Sequence, residues 1–70
     1  MPDGVYKVIS LVGTSTESWE KAATRAVEEA ARHLRDLRVA EVVEQDLVLE
    51  NGQVKAYRAK VNVSFKFEGS

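Results

Sequence analysis

The 70-residue chain has no cysteine, so neither a disulfide nor a thiolate-held metal can staple its fold. It has one histidine, His33, with no second histidine or close carboxylate cluster on the same turn of chain. A surface or interface position is therefore expected for His33, ahead of metal ligation or general-base chemistry. An excess of positive charge is also missing: Lys and Arg number 10, Asp and Glu 11, and the two signs are interspersed. That balance argues against nucleic acid or a membrane surface as the main partner. No apolar run approaches the length of a membrane span, and none has the form of a signal-peptide core. Repeated glycines of a nucleotide loop, a nucleophile–base pair and a histidine–carboxylate cluster are all absent, so the chain is not expected to be an enzyme. One domain covering residues 1–70 is expected. At this size a single core is near the lower limit of independent stability, and without disulfides oligomerisation is the available supplement. A cytoplasmic location fits the cysteine-free composition.

The clearest pattern present is the two-residue alternation from Tyr57 to Phe67, which predicts a long β-strand with two unlike faces. Tyr57, Ala59, Val61, Val63, Phe65 and Phe67 point one way and ask for a core. Arg58, Lys60, Asn62, Ser64 and Lys66 point the other. At the start of the chain Met1 to Gly4 lacks pattern and reads as a frayed lead-in. Val5 to Val12, β-branched and aromatic, predicts a first strand that Gly13-Thr14-Ser15 stops. Thr14 with Glu17 has capping-box spacing and Ser15 is an equally good N-cap, so a helix is expected to open near Thr16. Apolar residues at Trp19, Ala22, Ala23, Ala26, Val27, Ala30, Leu34 and Leu37 form one stripe and predict a helix to about Leu37. Alanine dominates the stripe, which lets the helix axis approach the sheet closely. Glu17 with Lys21, Glu28 with Arg32 and Glu29 with His33 are i,i+4 pairs in the favourable order on what reads as a solvated face.

Val39 to Leu49 predicts the second strand, and Glu50-Asn51-Gly52-Gln53 is a strong hairpin turn joining it antiparallel to the third. With Asn51-Gly52 as a two-residue loop and no bulge, Gln45 would lie opposite Arg58, Val43 opposite Lys60 and Glu41 opposite Asn62. By the same parity Val39, Val43, Leu47 and Leu49 would share the face of Arg58, away from the helix. A face that apolar is not expected to be wholly wet, and one helix cannot cover both sides of a sheet. Association through the far face, or a ligand on it, follows.

Val5-Tyr6-Lys7-Val8, Gly13-Thr14-Ser15, the Ala-rich helix, Ala40-Glu41-Val42, Tyr57 and Val61-Asn62-Val63-Ser64-Phe65 together resemble the dodecins over nearly the whole chain. The resemblance implies an α+β fold in β-α-β-β order, with a three-stranded antiparallel sheet wrapped around one long helix. It also implies assembly of twelve copies into a hollow homododecamer. Many dodecins bind flavins such as FMN or riboflavin in stacked pairs, as storage or sequestration and not as catalysis. The position of the flavin-stacking tryptophan is matched here by Val39, and that of a flavin-bonding glutamine by Arg58. Gln45 could still offer an amide to a ligand. The pattern is similar to the dodecin branch that lacks the tryptophan, so flavin binding is expected to be weak or lost. The alternatives are binding of a divalent cation, Ca2+ above all, or purely structural assembly. Glu17, Glu44 and Asp46 are the candidate cation ligands, with Glu50 a further available carboxylate. Their bland alternative is a set of solvated or intersubunit ion-pair carboxylates.

Overall fold

The computed structural model describes residues 4–66. Strand β1 (Tyr6–Ser15), helix α1 (Trp19–His33), strand β2 (Leu37–Glu50) and strand β3 (Gln53–Lys66) follow one another along the chain. The sheet order is β1-β3-β2, antiparallel throughout, so the alternating third strand is the central one. The expected lead-in at Met1 to Asp3 and the last alternating residue, Phe67, lie outside the described residues.

β1 does not stop at Val12. It continues through Ser15 because β3 offers it partners that far: Gly13 pairs with Ala59, Thr14 with Arg58 and Ser15 with Tyr57. The helix consequently opens later than its capping signals suggest. Ser18 is the N-cap, accepting the Lys21 N–H at 3.0 Å through its hydroxyl. Ser15 caps the preceding turn instead, its Oγ accepting the Glu17 N–H at 2.9 Å. Glu20 sits in the first helical turn and Arg32 and His33 in the last, both favourable for the macrodipole. The expected Glu17–Lys21 ion pair forms and His33 reaches Glu29 at 3.2 Å, but Arg32 takes Glu29 at 3.4 Å and not Glu28.

The helix also ends one turn early. Leu34 is its C-cap, and Asp36 reverses the chain in the left-handed region at φ 58°, which a short polar side chain tolerates. Leu37 thus meets the core from β2 and not from the helix. The core itself is small: Ala22 and Ala26 of the helix lie against Ala59, Val61 and Val63 of β3, and Ala30 is buried one turn farther along the helix. Ile9, Leu11, Ala23, Val27 and Leu37 flank it half-buried. Among these, only Val61 and Val63 are large side chains fully withdrawn from water.

The Asn51-Gly52 hairpin forms as a two-residue loop with both φ positive (54° and 75°) and Glu50 paired to Gln53. Bulges then alter the simple register. One between Val48 and Leu49 shifts the pairing by one residue, and a second between Val42 and Glu44 restores it. Glu41 therefore does face Asn62, while Asp46 and not Gln45 is opposite Arg58, and Glu44 and not Val43 is opposite Lys60. The shift turns Leu47 and Gln45 onto the helix side, opposite Tyr57 and Ala59. Of the apolar residues expected on the far face, Val39 remains there and Leu47 does not.

A 14-residue strand is about 46 Å long and a 15-residue helix about 22 Å, so α1 cannot cover its own sheet. It packs on β1 and β3 and meets β2 at few points. The result is a molecule of 50 × 20 × 15 Å with a radius of gyration of 14.2 Å, against about 11 Å for a compact chain of this length.

Candidate functional site

The face of β3 turned away from the helix presents Arg58, Lys60, Asn62, Ser64 and Lys66 in a line, and the register sets a row of neighbours across each. Thr14, Arg58 and Asp46 form one row, then Val12, Lys60 and Glu44. Ser10, Asn62 and Glu41 form the next, and Val8, Ser64 and Val39 the last before Tyr6 and Lys66. Hydrogen bonds tie the rows: Ser10 Oγ donates to Asn62 Oδ1 at 2.6 Å, and Ser64 Oγ to the Val39 carbonyl at 3.4 Å.

Arg58 makes the strongest contact on this face. Its Nε donates to Asp46 Oδ1 at 2.7 Å and its Nη2 to Asp46 Oδ2 at 2.8 Å, the fork-to-carboxylate geometry that suits guanidinium. Hydrogen bonding from Arg58, with its charge adding to the effect, holds the Asp46 carboxyl below the usual range, and the same bond raises Arg58 further. The guanidinium edge that carries Nε is therefore already occupied within the chain. Asp46 was foreseen as a cation ligand or as a solvated or intersubunit ion-pair carboxylate, and the pair forms within the chain instead; it depends on the bulge between Val48 and Leu49, which leaves no clear mark in the sequence.

Val39 stands at the other end of the sheet, 62% exposed. With Tyr6, Arg38 and Ser64 it lines a largely apolar recess of about 260 Å3. Tyr6 was not foreseen there, although its parity on β1 pointed to this face. Ser64 and Arg58 are six residues apart on β3, or about 20 Å, so one chain does not unite Val39 with Arg58. Gln45 joins neither, being on the opposite face. A ligand touching both Val39 and Arg58 positions would have to lie between chains.

The carboxylates are likewise dispersed. Glu17 is paired with Lys21 and lines a separate recess beside the helix with Arg25 and Glu28. Asp46 is held by Arg58, and Glu44 lies next to it on the outer face. Among the described residues, no three His, Cys, Asp or Glu side chains come together to hold an ion. Trp19, expected in the core, sits at its edge: the indole N–H donates to the Asp46 carbonyl at 3.0 Å and the ring meets Tyr57 edge-on at 5.2 Å.

Among the described residues, no helix is long and apolar enough to cross a membrane. In comparisons with known proteins, residues 5–68 match the sequence model of the family described as Dodecin. Over 62 residues, 89% of this chain and 87% of the relative, the sequence is 50% identical to the calcium dodecin of Mycobacterium tuberculosis. It is 39% identical over 64 residues to the dodecin of Thermus thermophilus, covering 91% of this chain and 93% of that one. Dodecin from Streptomyces coelicolor superposes with a TM-score of 0.91 at 33% identity over the whole of both chains. The calcium-chelating dodecin of M. tuberculosis, solved with a novel calcium-binding site, gives 0.83 at 48% identity over 96% of each.

Proposed function

The chain belongs to the dodecin family, and from that premise we propose that it is a non-catalytic, homododecameric small-ligand binding shell in which tight flavin binding has been lost. The observation that carries this reading is the pair of substitutions at the flavin-equivalent positions. Val39 has no ring to stack on an isoalloxazine. Arg58 has no acceptor to offer its polar edge, and two of its donors are engaged by Asp46. The absence of a nucleophile–base pair in the sequence supports the non-catalytic part. The near-neutral, cysteine-free composition supports a cytoplasmic protein whose main partner is itself.

The test is a riboflavin titration followed by flavin fluorescence on assembled protein. The wild type is expected to show no submicromolar quenching. Val39→Trp with Arg58→Gln is expected to tighten binding by at least about tenfold, the worth of one aromatic stacking contact. Submicromolar binding by the wild type would overturn the reading.

A second reading, Ca2+ binding, is favoured by one observation: a relative 50% identical over most of its length is named a calcium dodecin. Ca2+ takes six to eight oxygens, and one chain does not gather three carboxylates among its described residues. On this reading Glu44, with Asp46 beside it, supplies part of a site that a second copy completes, and Glu17 belongs to a different place on the surface.

A further inference from the structure

We propose that Arg58 is a built-in counter-cation for Asp46: its guanidinium takes the carboxylate edge that a divalent cation would need, and so sets how tightly the outer face of the sheet holds Ca2+. The proposal rests on the calcium reading above and adds the residue that regulates it. It also gives Arg58 a role that the loss of a flavin contact does not supply.

The two acids placed together in that reading each face a base across β3, Asp46 opposite Arg58 and Glu44 opposite Lys60. The Asp46 row is closed by a direct fork, with Arg58 Nε 2.7 Å from Oδ1 and Nη2 2.8 Å from Oδ2. A Ca2+ bound bidentately by a carboxylate uses that same edge, so fork and ion exclude one another there. As they stand, the residues do not offer Asp46 to a metal; the metal has to displace a cation that the chain itself supplies. Displacement is open to it, because the Arg58 and Asp46 side chains are 46% and 51% exposed.

The Asp46 backbone is tethered as well. The Trp19 indole N–H donates to the Asp46 carbonyl at 3.0 Å, although α1 otherwise meets β2 at few points. Trp19 in turn meets Tyr57, which is paired with Leu47 next to Asp46. With the strand held at Asp46, the Arg58 side chain is the part free to swing away. The size of the effect follows from exposure: a half-exposed pair is weak and screened by salt, so Arg58 lowers Ca2+ affinity and does not abolish it. Beside a divalent ion a unit charge counts twice, which makes a penalty of about tenfold the expectation at low ionic strength.

The experiment is calorimetric titration of CaCl2 into metal-free assembled protein at low ionic strength, with native mass spectrometry checking that each variant keeps the wild-type subunit count. Arg58→Gln is expected to tighten Ca2+ binding by about tenfold, and by less in about 0.5 M NaCl. In the Asp46→Asn background the same substitution is expected to gain less than about twofold, which separates release of this carboxylate from a general change of charge. Arg58→Lys keeps the charge but loses the fork, and is expected to gain about threefold. Should Arg58→Gln fail to assemble, Arg58→Lys decides. Equal affinity in the wild type and the assembled Arg58 variants would overturn the proposal and leave the calcium reading standing. A gain undiminished in the Asp46→Asn background would overturn it too. Absence of Ca2+ binding in every one of these proteins would refute the calcium reading along with it, so the two failures are distinct.

Discussion

Gly13 lies inside β1 where the helix backbone crosses closest: a Cβ added there would stand 2.0 Å from the Ala22 carbonyl oxygen and 3.1 Å from the Ala26 Cβ. Neither neighbour is the end of a flexible side chain, so relief requires helix and strand to separate. Gly13→Ala is expected to destabilise by about 3 kcal/mol or more, at the upper end for overpacking. Urea denaturation at fixed protein concentration checks it, and a loss below about 1 kcal/mol would show that the helix can shift freely. Asp46 makes the second residue-scale prediction. Its folded pKa is lowered by Arg58, so the folded state binds the proton less readily than the unfolded chain does. The contribution is fully present above the ordinary aspartate value of about 4 and is lost as pH falls through the lowered value. A carboxyl-detected NMR titration should place Asp46 below that ordinary value and move it back up in Arg58→Gln. An unmoved Asp46 in that variant would remove the ion pair as the cause.

At the scale of elements, the boundaries were decided by competition between local signals and partners. Thr14, Ser15 and Ser18 are all acceptable caps in a short stretch, and only the length of β3 selects among them by drawing Thr14 and Ser15 into the sheet. Ser18→Ala should therefore cost about 1 kcal/mol, the usual price of an N-cap, while Thr14→Ala leaves helix content unchanged. Circular dichroism melts of the two variants distinguish them; equal loss in both would contradict the assigned cap. The hairpin was legible because Asn51-Gly52 provides the two positive φ values its turn needs. Its register was not legible over residues 44–48. A bulge costs no particular residue type, so Asp46 and Gln45 exchanged faces without any sequence signal.

At the scale of the whole molecule, the sheet is more than twice as long as the helix beneath it, and the isolated chain leaves much of β2 bare. Function on this scaffold is correspondingly expected at contacts between copies. For the cation reading, Ca2+ added to metal-free assembled protein at about 100 times its dissociation constant should stabilise it by about 2.7 kcal/mol, and hence raise Tm by several degrees. Mg2+ at the same concentration is the comparison, and no shift with Ca2+ would exclude that reading. By itself the sequence determined the element types, their order, the alanine-lined helix and the central strand's core residues, because periodicity and turn chemistry act over a few neighbours. Only the tertiary structure decided that Arg58 is held by Asp46, that Val39 stands about 20 Å from it within one chain, and that Gln45 and Leu47 turn to the helix side of β2. Each of these depends on the strand register, which becomes defined only when distant segments pair.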